Sequence, residues 1–424
     1  MREFKKGYYF SMAYFGVIKA TILRAIKMSI FSSWLRPVLA ACLFMAGTES
    51  NSMATSLGLW TDIVQEKEGP KSFPLVKSGN AAPIFLDAMD WPGVVRAAGD
   101  LQTDVERVSG IKPPLTTDHA PAGDIAVIAG TLGKSPLIDR LVKSSHLDVS
   151  GLAGKWECFG ITTVDNPLPG VSRALVIVGS DKRGTIYGLY ELSEQIGVSP
   201  WYWWADVPVK HHDQLFIKAG SYLQGPPVVK YRGIFINDEE PSFGSWARQK
   251  FGGINSTMYA HMFELLLRLR ANYLWPAMWG KAFNEDDPID PKMADEYGIV
   301  MGTSHHEPMM RAQKEWGIHK KQYGNSEWNY ATNEAGLKQF WADGIERNKD
   351  YENIVTIGMR GDGDKPMING GDMEANIKLL EKIVADQRQI LSAKVNPDVT
   401  KVPQLWALYK EVADYYAQGM KVPG

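Results

Sequence analysis

Tyr231-Arg-Gly-Ile-Phe-Ile-Asn237 runs straight into Asp238-Glu239-Glu240-Pro241, and the same arrangement recurs three times before residue 365. Ala271-Asn-Tyr-Leu274 leads into Trp275-Pro-Ala-Met-Trp279, Ile299-Val-Met-Gly302 into Thr303-Ser-His305-His306-Glu307, and Ile354-Val-Thr-Ile-Gly358 into Met359-Arg360-Gly-Asp362-Gly-Asp364. Helical patterns over 258–270, 292–297 and 334–347 separate these runs, followed by a long one over 373–393 and a further one over 403–418. Short apolar runs alternating with helices predict parallel strands, and reactive side chains gathered where strands end are the habit of the (β/α) barrel. Four such strands are legible where a closed barrel needs eight, so residues 228–424 read as about half a barrel with a truncated C-terminus.

Upstream, residues 80–222 read as an α+β domain. Ile84-Phe-Leu86, Asp124–Ala129 and Ser172–Gly179 have strand character, and helices are expected over 92–109 and through Tyr187, Leu189, Leu192 and Ile196. Gly225-Pro226-Pro227 marks the link to the second domain. The fold class is therefore α/β, an N-terminal α+β domain followed by a (β/α)8-type barrel present to about half. Residues 1–50 differ from the rest: Arg2, Lys5, Lys6, Lys19, Arg24 and Lys27 precede an apolar run from Pro37 to Gly47. This reads as a signal peptide or N-terminal extension, too short for a comfortable membrane span, and predicts a secreted, extracellular protein with no membrane anchor once mature. If Cys42 leaves with that segment, Cys158 remains alone and no internal disulfide is expected.

A net charge of −2 over 424 residues offers no basic field, which excludes nucleic acid as a partner. Fourteen tryptophans provide flat faces suited to sugar rings. The cysteines lack zinc-site spacing, and adjacent His305 and His306 diverge on a strand, so neither a metal nor a cofactor is expected. Alternation allows at most one or two of Asp238, Glu239 and Glu240 to face a common site, and Asp238 lies closest to its strand. In Arg360-Gly361-Asp362-Gly363-Asp364 a fixed cation and two carboxylates share a loop whose glycines let a ligand approach the backbone. The chain carries no nucleophilic serine or cysteine motif, no phosphate-cradling loop and no dinucleotide fingerprint. Clustered acids in an aromatic-walled cleft then favour glycoside hydrolysis, in which one carboxyl group protonates the leaving oxygen while a second activates water or attacks the anomeric carbon. Glu411, by its pattern with Leu405, Leu408 and Val412, reads as a surface acid on an amphipathic helix.

Taken together, Tyr231–Pro241, Ala271–Trp279, Ser304–Met309, Gly358–Asp364 and Leu408–Val412 resemble the xylan α-1,2-glucuronidases of glycoside hydrolase family 115. Gly188–Glu194 and Ser199–Pro208 are similar to that family's N-terminal domain. The resemblance implies release of glucuronic acid or its 4-O-methyl ether, α-1,2-linked to xylose in glucuronoxylan or derived oligosaccharides, with inversion. By motif it makes Glu411 the counterpart of the proposed general acid, Asp238 and Asp364 essential carboxylates, and Glu194 an acidic position that the N-terminal domain presents to the site. A homodimer is implied for full-length members. Arg360, His305 and His306 are candidates for holding the uronate carboxylate, and Trp275 for the sugar-facing wall. Two other readings stand beside this one: an inactive carbohydrate-binding relic, and a glycosidase acting only on short uronic-acid or hexosamine oligosaccharides.

Overall fold

The computed structural model describes residues 58–59, 61–119, 123–237, 239–367 and 372–423. The leader expected over 1–50 and the candidate Asp238 lie outside them. Toward the N-terminus a six-stranded sheet is ordered Ser221–Gln224, Phe159–Leu168, Val171–Gly179, Ile125–Thr131, Ile84–Leu86, Leu115–Thr116. The first three strands pair antiparallel and the rest add in parallel. Phe159–Leu168 went unrecognised in the sequence because its apolar residues do not alternate cleanly. Helix Pro92–Ser109 opens with a proline, whose missing N–H costs nothing in a first turn, and stops at Gly110 with φ 72°. Helix Lys182–Gln195 is capped by the Asp181 carboxylate, which accepts the Gly184 N–H. A separate antiparallel sheet joins Val64–Gln65, Leu215–Ile217, Phe73–Lys77 and Asn80–Ala81.

The C-terminal part has parallel strands in chain order. Gly233–Phe235, Tyr273–Trp275 and Val300–Met301 form one sheet, Val355–Thr356 and Gln404–Leu405 another. A parallel bridge between Met301 and Asn353 links the two. Gly233 has to be glycine, since a Cβ there would lie 1.8 Å from the Tyr273 carbonyl oxygen. The helices between strands fall close to expectation, at Ser256–Arg268, Asp290–Tyr297, Tyr330–Asn348 and Met373–Lys394. The segment 403–418 does not. Instead of one helix it forms the fifth strand, a loop, and a short helix Glu411–Ala417. Val355 N–H donates to the Pro403 carbonyl and Ile357 N–H to that of Leu405, both at 2.9 Å, so strand pairing overrides the helical pattern of the apolar residues.

One hydrophobic core runs from Ile63 through Leu189, Phe263 and Leu274 to Val412 and Met420, continuous between the two parts. A smaller one lies beneath helix Pro136–Lys143. The N-terminal part meets the parallel strands at their starting ends through Glu157. That carboxylate accepts from Arg183 Nε at 2.6 Å, Asn272 Nδ2 at 2.7 Å and Arg232 Nη2 at 2.7 Å. Arg183 also pairs with Glu352 at 2.7 Å. The opposite, C-terminal ends of the strands are thereby left to loops. Among the described residues, no helix is long and apolar enough to cross a membrane.

Candidate active site

The fourth strand leads to Gly358, whose φ of 96° is open to glycine and whose Cβ would lie 2.6 Å from Trp406 Nε1. Buried Gln387, on helix Met373–Lys394, holds both backbone groups of Gly358, accepting its N–H at 2.7 Å and donating to its carbonyl at 2.8 Å. The carbonyl of Arg360 accepts from Trp328 Nε1 at 2.7 Å. These bonds fix the strand end that presents the Arg360 side chain, only 2% exposed.

Around that guanidinium two carboxylates converge. Nε donates to Glu411 Oε1 at 3.0 Å and Nη2 to Oε2 at 2.6 Å, while Nη1 donates to the Asp364 carbonyl at 2.7 Å and to its Oδ1. Such two-pronged pairing uses the planar fork that arginine alone offers. Asp364 also receives His305 Nε2 on Oδ1 at 2.8 Å and Lys410 Nζ on Oδ2 at 3.1 Å. Asp364 and Lys410 both sit at positive φ, 61° and 51°, a strain that non-glycine residues bear where the surroundings impose it. Burial, then Arg360 and Lys410, outweigh Glu411 and push the His305 imidazolium down to about 4. The ring is therefore neutral at pH 7 and its Nε2–H is the proton directed at Asp364.

Aromatic rings line the cluster. Trp279 stacks on His306 at 5.1 Å, His306 meets His305 edge-on at 4.9 Å, and His305 meets Tyr409 at 4.6 Å. Trp279 is 38% exposed and Tyr409 43%, so both ends of the row reach solvent. Glu239 sets the Trp279 end: its buried Oε1 accepts the backbone N–H of Met278 at 2.7 Å and that of Trp279. Buried Glu307, behind His306, is pushed up to about 8, chiefly by burial and further by Glu315 and Glu239, so it stays protonated at neutral pH.

This arrangement is a pair of carboxylates and two cations beside an exposed aromatic row, at the loop end of a parallel sheet. Residues 224–424 match the family model described as glycosyl hydrolase family 115. A solved structure, a family GH115 4-O-methyl-α-glucuronidase with specificity for decorated arabinogalactans, is 36% identical with a TM-score of 0.71, over 83% of this chain and 45% of that one. The chain belongs to glycosyl hydrolase family 115. It spans less than half the length of that relative. Flavobacterium johnsoniae chitobiase is also similar, at 11% identity and a TM-score of 0.45 over 79% of this chain and 50% of that one. A mutant Streptomyces plicatus β-hexosaminidase follows at 12% and 0.41, over 77% and 64%. No curated protein sequence matches.

Of the residues singled out in this family 115 sequence, the structure brings Asp364, Glu411, Arg360, His305 and His306 together. It does not bring Glu194 to them. Glu194 pairs with Arg270 at 3.1 Å, ahead of strand Tyr273–Trp275, and lines a cavity of about 450 Å³ with Glu191 and Arg268 at the starting ends of the strands. Trp275 packs edge-on to Phe235 at 5.1 Å and bonds Tyr273; the ring that reaches the histidines is Trp279, four residues on. Glu411 is no mid-helix surface acid, since it opens its helix just beyond the fifth strand. Arg360 spends its donors on the protein's own carboxylates, which leaves Lys410, 48% exposed, as the cation open to solvent. Lys410 was not singled out in the sequence, where the clue to it was its place next to Glu411, and Glu239 was weighed there only as one of three neighbouring acids with Asp238 preferred. One ring nitrogen each of His305 and His306 and an Asp364 oxygen lie within 4.8 Å of one another. Because Arg360 and Lys410 already serve that carboxylate, we assign no cation there.

Proposed function

We propose that this chain carries the catalytic carboxylates of a secreted α-glucuronidase that removes glucuronic acid, or its 4-O-methyl ether, α-1,2-linked to xylose in glucuronoxylan. The observation that carries this reading is the placement of Asp364 and Glu411 on either side of one guanidinium, with Lys410 exposed beside them. We infer that the five parallel strands belong to a (β/α)8-type barrel, with the reaction at its C-terminal face. Glu411 donates a proton to the glycosidic oxygen as the bond to the anomeric carbon breaks. Asp364, oriented by His305, takes a proton from the water that attacks the opposite face, which inverts the configuration. The uronate's negative charge calls for a cationic partner, and Arg360 and Lys410 supply it. Trp279 and Tyr409 offer the flat faces on which sugar rings stack.

A second reading differs only in the polymer. The 36% identical relative is specific for decorated arabinogalactans, which favours a galactan backbone in place of xylan. Uronic acid release from glucuronoxylan, from decorated arabinogalactan and from short aldouronic acids separates these readings. Release from glucuronoxylan is expected; release from arabinogalactan alone moves the substrate to the second reading. Release from the short oligomers alone restricts the activity to them. Retained polysaccharide binding without release from any substrate makes the chain a binding relic.

A further inference from the structure

Glu411 is not free to act as an acid in this arrangement. A carboxyl group that protonates a leaving oxygen must carry its proton on an oxygen facing the substrate, and both Glu411 oxygens accept from Arg360, at 3.0 and 2.6 Å. One of the two partners has to move. Arg360 is the fixed one: it is buried, tied through Nη1 to the carbonyl and carboxylate of Asp364, and anchored at its backbone by Trp328. Glu411 starts a helix of seven residues and follows Lys410 with its positive φ of 51°, so a local change there swings its side chain without disturbing a strand. A uronate carboxylate has the same planar shape and charge as that of Glu411 and can form the same two parallel bonds to Nε and Nη2. Lys410 offers it a first, exposed point of attraction.

We propose that Arg360 is the specificity-determining residue of this site: the substrate's uronate displaces Glu411 from Nε and Nη2, and only this exchange frees Glu411 to take up a proton and face the glycosidic oxygen. One bidentate ion pair replaces another, so the exchange leaves no buried charge unpaired. A neutral sugar with a hydroxymethyl group at that position offers a single uncharged acceptor, which cannot replace a bidentate carboxylate, and leaves Glu411 locked. The inference rests on the uronide-hydrolase reading above. It goes beyond that reading by making the carboxylate a trigger for turnover as well as a handle for binding.

Two measurements on the unmodified chain test it. Crystal structures would be determined with glucuronic acid and with glucose. Bound glucuronate is expected on Arg360 Nε and Nη2, with Glu411 beyond hydrogen-bond reach of about 3.5 Å, whereas glucose leaves the pair closed. In parallel, an aldobiouronic acid and its methyl ester would be compared as substrates. The ester is expected to lose about 100-fold in kcat, a loss that a binding handle alone would place in KM. Glucuronate bound with the Arg360–Glu411 pair intact, or an ester kcat within a few-fold of the acid, overturns the exchange while leaving the proposed activity standing. Absence of both glucuronate binding and uronide turnover overturns both.

Discussion

Two clusters of buried charge sit at opposite ends of the same parallel strands. At the starting ends, Glu157 is shared by Arg183, Arg232 and Asn272, each held by a further protein partner, and its side chain is fully enclosed. At the C-terminal ends, Arg360 holds Asp364 and Glu411, and Lys410, Trp279 and Tyr409 open the cluster to solvent. Both are networks of arginine and carboxylate, so ion pairing by itself does not mark a site. The difference lies in spare capacity. The Glu157 network closes on itself and joins the two parts of the chain, whereas the Arg360 network has an exposed cation, exposed rings and a protonated Glu307 behind it.

Substitutions at the two ends should therefore separate activity from stability. Asp364→Asn keeps the shape of the side chain but removes the charge, and is expected to lower kcat by about 10²–10⁴-fold with little change in melting temperature. Near-normal turnover would remove Asp364 from the chemistry. Glu157→Ala leaves buried arginine donors unpaired and is expected to cost about 3 kcal/mol or more in denaturant unfolding, with kcat of the folded fraction unchanged. A drop in kcat at full stability would break the contrast between the clusters.

Glu307 sharpens the comparison through pH. Its folded-state value of about 8 lies above the ordinary 4.5, so the folded protein keeps a proton that the unfolded chain releases between these values. Stability from this group is fully present below about 4.5, falls as pH rises toward 8, and levels off above. Glu307→Gln should remove that slope and gain on the order of a few kcal/mol near pH 8, as read by melting curves across the range. A variant that keeps the wild-type slope would place the proton elsewhere. The smallest effect is expected at Glu239. Glu239→Ala removes the acceptor of two backbone N–H groups, costing about 1–3 kcal/mol, and should raise KM more than it lowers kcat because Trp279 loses its anchor. Unchanged KM in a folded variant would detach Trp279 from the cleft.

The first four parallel strands were legible because each apolar run ends abruptly in polar or aromatic residues. The fifth was not, since the apolar residues around Gln404–Leu405 fall at helical spacing. Pro403 was the available signal, because the residue before a proline avoids helical backbone, and Glu411 follows the run as acids follow the first, third and fourth strands. The acids and Arg360 could be nominated from sequence. Their mutual pairing could not, because a guanidinium shared by residues 4 and 51 positions away is a property of packing. The choice between Trp275 and Trp279 likewise depends on a loop that strand alternation does not reach.

The central claim, that Glu411 and Asp364 cleave an α-linked uronide, is tested most directly by following an aldobiouronic acid by proton NMR with the unmodified chain and with Glu411→Gln. The account predicts free uronic acid appearing first as the β anomer with the unmodified chain, and release slowed by about 10²-fold or more in the variant. Equal rates from both proteins, or no uronic acid released by the unmodified chain, would contradict it.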